Sequence, residues 1–460
     1  MPKTVITYGT FDLFHYGHQA LLEHAKELGD YLIVGITSDA FDKMRGKFDV
    51  KQPLVERIHA VEKTGLADKI IIEEFKGQKI EDIRKYHVDI FTVGSDWEGK
   101  FDYLKEYCDV VYLPRTQGVS STSIRKEKSK RYSLGCIGIN DFSNRIIREC
   151  NHVSEGGVTA ICPSGNDPSG ITVENEQISI VSGLDEMKDD IDAVYISGNP
   201  KQRAETVRCA LEYGLHVLSE GPIAYSNREA SLLQSLAVEK NLVLMEALSI
   251  LYQPGFQRLK LLIESGIVGE IKDIDSSYSL VPDQIDYNDI YDSSTFRMST
   301  RTLLPALVFL GPHFEQAQVI CGYEKDYCTW AKYNLLYKTA SATLKTGRGV
   351  KTEGSMVITG TDGYVYVPAP WWKLEYFEVR YEDLRDTRKH YYECVGEGQR
   401  YMLKQFFHYC DDGNVYSDAR DELHNIELSV TQLIELANSA DCLKLENNSL
   451  RFGGGETVNK

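Results

Sequence analysis

Two histidines three positions apart stand in GTFDLFHYGH, Gly9 to His18, directly after the apolar run VITYG. If VITYG is the first strand of a parallel sheet, the loop after it lies at the carboxyl edge, where open α/β folds bind ligands. A helix starting near His18 would turn unpaired amides toward that edge and attract phosphate, and Gly17 would let the backbone approach closely. His15 and His18 would then donate to phosphate oxygens whose charge grows in a transition state. Alone, the pair would equally serve as a helix cap and a solvent-facing side chain. A second stretch, PRTQGVSSTSIR from Pro114 to Arg125, tips the balance. Arg115 ends a β-rich run there, and Ser120, Ser121 and Thr122 stand where a helix should begin, offering hydroxyls and free amides. Two anion-binding turns on one sheet edge, with two histidines and an arginine, suit a nucleoside triphosphate.

The elements that must hold these groups are written as an alternation. The β-rich runs VITYG, YLIVGIT, KIIIEEF, DIFTVGS and VVYLPRT are separated by amphipathic segments such as HQALLEHAKELGD, where Leu21, Leu22, Ala25 and Leu28 recur at helical spacing. That pattern predicts a parallel sheet with covering helices, ending near Ile124. The charged RKEKSKR, Arg125 to Arg131, has no apolar periodicity and reads as a helix end entering a linker. A second alternation then runs through YSLGCIGI, SNRIIRECNHV, GVTAICP, DAVYISG, AETVRCALEYG, HVLSEGP and REASLLQSLAVEKN. Beyond it, EIKDIDSSYSL, TASATLKTG, GSMVITGTDGYVYVPAP and FEVRYEDL are strand-rich. The expected α/β architecture is two doubly wound, Rossmann-like domains, the second followed by an α+β domain with a mostly antiparallel sheet. The expected boundaries are 1–128 for the first domain, 129–134 for a linker, 135–247 for the second nucleotide-binding-type half, and 248–460 for the sheet domain.

A length of 460 residues is too great for one ordinary core. The formal charge of −17 argues against a nucleic-acid polymer or an anionic membrane as partner, both being polyanions. No apolar run approaches the roughly 18 residues a membrane span needs, and MPKTVITYGT lacks a signal-peptide profile. The ten cysteines are scattered without zinc spacing, so no protein metal site is expected and a cytoplasmic location is.

GTFDLFHYGH, GSDWEGKFDYLK (Gly94 to Lys105) and RTQGVSSTSI together resemble the signature motifs of glycerol-3-phosphate cytidylyltransferases, over residues 1 to about 130. The resemblance implies that a polyol phosphate attacks the α-phosphorus of CTP, releasing pyrophosphate and a CDP-polyol suited to capsule or teichoic-type polymers. Carried over by position, His15 and His18 would stabilise the pentacovalent α-phosphate, and Gly9, Thr10, Phe11 and Gly17 would form the nucleotide turn. Arg115, Thr116, Ser120, Ser121 and Thr122 would hold nucleotide and pyrophosphate oxygens. The attacking phosphate is already an anion near neutral pH, so catalysis would be alignment and charge neutralisation, with Mg²⁺ bridging triphosphate oxygens. Lys47 and Arg57 are candidates for the acceptor phosphate, or else solvated surface cations. Asp12 either orients a histidine or caps the helix, and Trp97 is expected to pack rather than stack on a base. Other HxGH nucleotidyltransferases transfer AMP, which makes ATP the alternative donor.

DAVYISGNP, ALEYGLHVLSEGP, NLVLMEAL, LIESGIVGEI and GTDGYVYVPAPWW resemble the Gfo/Idh/MocA oxidoreductases over about residues 132 to 440. That family implies a nicotinamide cofactor on the first half and a sheet domain supporting substrate. The family's G-x-G-x-x-G/A is here GINDFS, with Gly138 retained but Asn140 and Ser143 at the second and third glycine positions. After the second strand Pro163 and Ser164 replace the acidic ribose ligand, which favours NADP over NAD. Glu-Lys-Pro has become Glu220-Gly221-Pro222, and the expected aspartate and histidine helix reads TFRMSTRTLLPALVFLGPH. Gly138, Asn140, Ser143, Ser164, Asn199 and Glu220 are the dinucleotide candidates; Arg297 and Arg301 would grip a sugar phosphate, and His313 is a lone histidine nearby in sequence. Two expectations follow: a reductase that makes the polyol phosphate from a ketose or aldose phosphate, or a degenerate, non-catalytic dimerisation or scaffold module. Both families are commonly oligomeric, so a homodimer is expected.

Overall fold

A computed structural model describes residues 2–38, 41–42, 50, 52, 54–75, 77–114, 131–163, 178–198, 200–287, 289, 293–392, 394–411, 418–446 and 449–451. The chain divides into two compact units, Met1–Ser129 and Lys130–Lys460.

Unit 1 carries β1 (Thr4–Gly9), α1 (Tyr16–Glu27), β2 (Tyr31–Thr37), α2 (Leu54–Glu62), β3 (Lys69–Glu73), α3 (Gln78–Lys85), β4 (Ile90–Gly94) and β5 (Asp109–Leu113). The strands form one parallel sheet in the order β3-β2-β1-β4-β5. Helices cover both faces of such a sheet, so its central strands are apolar throughout, and Val5, Ile6, Ile33, Val34 and Phe91 are fully buried. The strand order reverses at β1, which opens a crevice beyond its carboxyl end. GTFDLFHYGH leaves the sheet at that point.

Unit 2 begins with β6 (Tyr132–Ile137), α4 (Asp141–Cys150), β7 (Gly156–Cys162), β8 (Ser179–Ile180), α5 (Leu184–Met187), β9 (Ala193–Ile196), α6 (Pro200–Glu212), β10 (His216–Ser219), α7 (Asn227–Glu239) and β11 (Leu244–Glu246). These strands make a second parallel sheet, ordered β11-β10-β9-β6-β7-β8, with its reversal between β9 and β6. Because β6 starts at Tyr132, the last three residues of the expected 129–134 linker are strand.

The rest of unit 2 comprises α8 (Pro254–Glu264), β12 (Ile271–Leu280), α9 (Ser299–Phe309), β13 (Gln316–Glu324), β14 (Tyr327–Leu336), β15 (Ser341–Arg348), β16 (Met356–Gly360), β17 (Tyr364–Val367), β18 (Tyr376–Arg380), β19 (Arg388–Tyr391), α10 (Gln399–Asp411), α11 (Asp418–Ala437), β20 (Leu443–Glu446) and β21 (Ser449–Arg451). The ten strands form one mixed sheet, antiparallel except where β12 pairs β15 and β13 pairs β20. One face is apolar and packs on helices: Ile274, Tyr333, Leu344 and Ile358 share a core with Leu259, Leu303, Leu307, Val430 and Leu433.

Helix α10 packs on the first half of unit 2. Met402, Leu403, Phe406 and Phe407 lie in one buried cluster with Ile146, Ile147 and Cys150 of α4. Gly156 admits them: a Cβ there would stand 2.2 Å from the Phe407 ring. Each phenylalanine so buried is worth roughly 2–3 kcal/mol of transfer free energy. The nucleotide-binding-type half therefore completes its core with residues from the far end of the chain.

Candidate active site

The turn after β1 is strained and anchored. Phe11 and Leu13 adopt left-handed backbone, φ 54° and 50°, a conformation that costs a non-glycine residue about 1 kcal/mol or more. Gly9 makes room for the Phe11 ring to fold beneath it, since a Cβ would come within 2.9 Å. Phe11 is buried, with its ring 5.5 Å from that of His18 in an edge-on contact. Its side chain supports the turn from below. Asp12 is also buried and accepts the Gln52 amide at 2.9 Å; this tie holds the segment before α2, and the cap of α1 belongs to another residue.

That cap is His15. Helix α1 starts at Tyr16, two residues before His18, and His15 Nδ1 accepts the Gly17 amide at 3.1 Å. An acceptor nitrogen carries no proton, so in the capped state the imidazole proton sits on Nε2. Burial holds the His15 imidazole below its ordinary value, in keeping with a neutral ring. The His18 ring stacks on it at 3.9 Å between centroids, with planes 12° apart. The two imidazoles are thus one preassembled unit at the carboxyl end of β1.

Arg57 lies inside the fold. Its side chain is fully buried, donating through NH1 to the Thr10 carbonyl at 2.6 Å and the Thr37 carbonyl at 2.8 Å, and through Nε to the Gln52 carbonyl at 3.1 Å. It lies 3.9 Å from Asp42, which also accepts the Thr10 hydroxyl at 3.2 Å. Arg57 is therefore not a solvated surface cation; it clamps the turn to the ends of β1 and β2. Behind it Thr37 donates to Glu73 at 3.0 Å, and Glu73 pairs with buried Lys79. Asp42, Gln52, Glu73 and Lys79 were not singled out from the sequence. Only Glu73, a polar residue at the carboxyl end of the apolar run KIIIE, carried a sign in the sequence. Trp97 is 47% exposed and leans on Phe101 at 5.9 Å, so its packing is partial.

In unit 2 the turn after β6 is closed by its own residues. Gly138 takes φ 79° against the carbonyl of Ser197, where a Cβ would meet oxygen at 2.8 Å. Asn140 caps α4, with Oδ1 accepting the amides of Phe142 and Ser143, both at 2.9 Å. Ser143 Oγ accepts the Asn140 amide at 2.6 Å in return. Asn140 Nδ2 reaches Glu220 at 3.3 Å, and Glu220 pairs with buried Arg203 at 3.5 Å. Arg301, on α9, donates to the Tyr278 hydroxyl at 2.9 Å, with its guanidinium 5.6 Å from the Phe142 ring centre. Pro305, four residues on in α9, removes the amide that would otherwise take the Arg301 carbonyl. Arg297 lies in the π-helical turn Ser294–Met298, its side chain outside the described atoms, and His313 is exposed beyond the end of α9. Lys47, Arg115, Thr116, Ser120, Ser121, Thr122, Ser164 and Asn199 lie outside the described residues.

Residues 6–127 match the family described as cytidylyltransferase-like. The glycerol-3-phosphate cytidylyltransferase of Bacillus spizizenii is 54% identical over 125 residues, 27% of this chain and 96% of that protein. The chain belongs to the cytidylyltransferase family. The Staphylococcus aureus glycerol-3-phosphate cytidylyltransferase is 48% identical over 130 residues, again 27% of this chain and 94% of its own length. The cytidylyltransferase unit makes the chain a nucleotidyltransferase, and His15 and His18 fall inside the matched stretch. Residues 132–248 match an oxidoreductase family described as having an NAD-binding Rossmann fold. A 3-ketoreductase from Actinomadura kijaniata, solved with NADP and TDP-benzene, shares the fold of this second unit at TM-score 0.60 and 21% identity, covering 67% of this chain and 97% of that one. The cytidylyltransferase thus carries an oxidoreductase-type second unit, as its motifs indicate. Among the described residues, no helix is long and apolar enough to cross a membrane.

Proposed function

We propose that the chain transfers CMP from CTP to a polyol phosphate, glycerol 3-phosphate or a pentitol or hexitol phosphate, releasing pyrophosphate. The stacked imidazoles carry this reading: His15, capped at Nδ1, offers Nε2–H as a fixed donor beside His18. An oxygen of the acceptor phosphate attacks the α-phosphorus, forming a P–O bond as the bond to pyrophosphate breaks, and no proton need move. Charge on the pentacovalent phosphorus is met by donors already in place, which is where electrostatic catalysis is most effective. Gly9, Thr10 and Gly17 would shape the nucleotide turn, with Phe11 beneath it; Arg115, Thr116, Ser120, Ser121 and Thr122 would hold the triphosphate, Lys47 the acceptor phosphate. Mg²⁺ would arrive with the triphosphate as part of the substrate. Pyrophosphate release measured with CTP and with ATP, across glycerol 3-phosphate and pentitol and hexitol phosphates, tests the proposal; turnover with ATP alone would overturn it.

For unit 2 we infer a reductase ancestry directed at a sugar phosphate, with NADP or NAD as the cofactor the fold implies and Arg297 and Arg301 as anion ligands. Such an activity would make the polyol phosphate that unit 1 consumes, and a homodimer in the cytoplasm is the form in which we expect it. The turn after β6 does not fit a dinucleotide as it stands. The amides of Phe142 and Ser143 are taken by Asn140, whose side chain fills the place a second glycine leaves open. Consumption of NADPH or NADH over a panel of ketose and aldose phosphates separates an active reductase from the scaffold alternative.

A further inference from the structure

We propose that Asn140 is a built-in occupant of the dinucleotide turn in unit 2, so that a pyrophosphate-bearing cofactor binds there only by displacing it. The proposal rests on the oxidoreductase ancestry of the unit and not on turnover. Three observations converge on this one side chain. Its Oδ1 takes two of the amides that the start of α4 would present to a phosphate oxygen, those of Phe142 and Ser143. Its Nδ2 donates to Glu220 Oε2, which lies at the carboxyl end of β10. Strand β9 stands between β6 and β10 in the sheet, so this bond crosses the crevice at the reversal of strand order, the path an extended dinucleotide must follow.

The far end of the strap is anchored. Arg203 holds Glu220 and donates to the Pro222 carbonyl at 2.8 Å and the Gly198 carbonyl at 2.9 Å, closing the same edge. Arg203 is buried, so the strap has a fixed footing. A side chain bonded at both ends competes with an incoming phosphate in two ways. It occupies the volume beside the amides, and its departure costs Glu220, which keeps Arg203, its second donor just where another anion would approach. Glycine at position 140 removes the occupant, so that no side-chain bond must break when a phosphate enters, and it costs the cap only a few tenths of a kcal/mol.

The test is fluorescence and calorimetric titration of the full chain with NADPH and with NADH, comparing the natural protein with Asn140→Gly. At least tenfold tighter binding by Asn140→Gly is expected for one or both cofactors. Asn140→Ser keeps a helix cap but cannot reach Glu220, and its affinity should fall between the two. CTP-dependent pyrophosphate release, which residue 140 does not serve, reports that each variant is folded in unit 1, and far-ultraviolet circular dichroism with a melting curve does so for the whole chain. Equal or weaker affinity in a folded Asn140→Gly protein, or no binding by any of the three proteins, would overturn the proposal. A reductase reading fails on a different measurement, the absence of cofactor consumption, so the two failures are distinguishable.

Discussion

Replacing Glu246 by glutamine should change how unit 2 responds to pH more than it changes its contacts. Glu246 ends β11 with 1% of its surface exposed; Oε1 accepts the Ile223 amide at 2.9 Å, and Oε2 packs where a Gly221 side chain would stand, 2.5 Å from that missing Cβ. Its own amide donates to Glu427 Oε1 at 2.8 Å, and Glu427 is buried as well. Burial pushes the Glu246 carboxyl up to about 7, against the opposing pull of the Ile223 amide and Arg203. Burial raises Glu427 too, reinforced by the charge of Glu246. A carboxyl raised on folding contributes stability that is complete below its unfolded value, about 4.5, and is lost as pH climbs through about 7. Moving from about 4.5 to about 7 corresponds to roughly 3 kcal/mol, most of it lost between about pH 5 and 7.5. Urea unfolding followed by tryptophan fluorescence measures it, because Trp330, Trp371 and Trp372 all lie in unit 2. The natural protein should lose about 2 kcal/mol more than Glu246→Gln across that interval. Parallel pH profiles for the two proteins would show that Glu246 is ionised in the folded state at all these pH values and would refute the reasoning.

Further outcomes concern unit 1. His18→Ala should abolish CTP turnover while leaving the melting temperature within a few degrees, since the ring touches Phe11, Phe14 and His15 but fills no large core volume; retained turnover would remove it from the mechanism. His15→Asn keeps a helix cap and loses the Nε2 donor, so stability should hold while kcat falls about 10²-fold or more. Because burial lowers the His15 value, kcat/KM should stay level as pH rises from about 7 to 8 where an ordinary histidine requirement for charge would impose a decline. Arg57→Met should cost about 3–5 kcal/mol, read from the denaturant midpoint, because it removes the buried donor of three carbonyls and the cation beside buried Asp42.

Much of the architecture can be read from local pattern, and the missing parts have physical reasons. Strands such as VITYG and YLIVGIT announce themselves because a doubly covered sheet needs continuous apolar runs, and both parallel sheets follow from that alternation. HYGH marks the right turn, yet its spacing does not say that His15 caps the helix, since histidine is an uncommon cap and the bond depends on an extended backbone, φ −139°. Arg57 looks like any cation on an amphipathic helix; only the tertiary fold brings the Thr10 and Thr37 carbonyls within reach of it. The packing of α10 on the first half of unit 2 is hidden for the same cause, because Phe407 meets Gly156 across some 250 residues of chain and no local period encodes that contact. In GINDFS the departures from the glycine pattern are visible as letters, whereas the bond from Asn140 to Glu220 is not.

The return of α10 to the first half of unit 2 also sets an order of events during synthesis. All five strands of the N-terminal sheet have emerged by Leu113, so that unit can close while the remainder is still being made. The apolar side of α4, Ile146, Ile147 and Cys150, must instead wait until residues 399–411 leave the ribosome before it is covered. During that interval the nascent chain carries a sticky, half-finished face, and a fragment cut at the apparent domain border would carry it permanently. Expression trials that stop near residue 247 should therefore yield aggregates, whereas a break after Ser129 leaves each core intact.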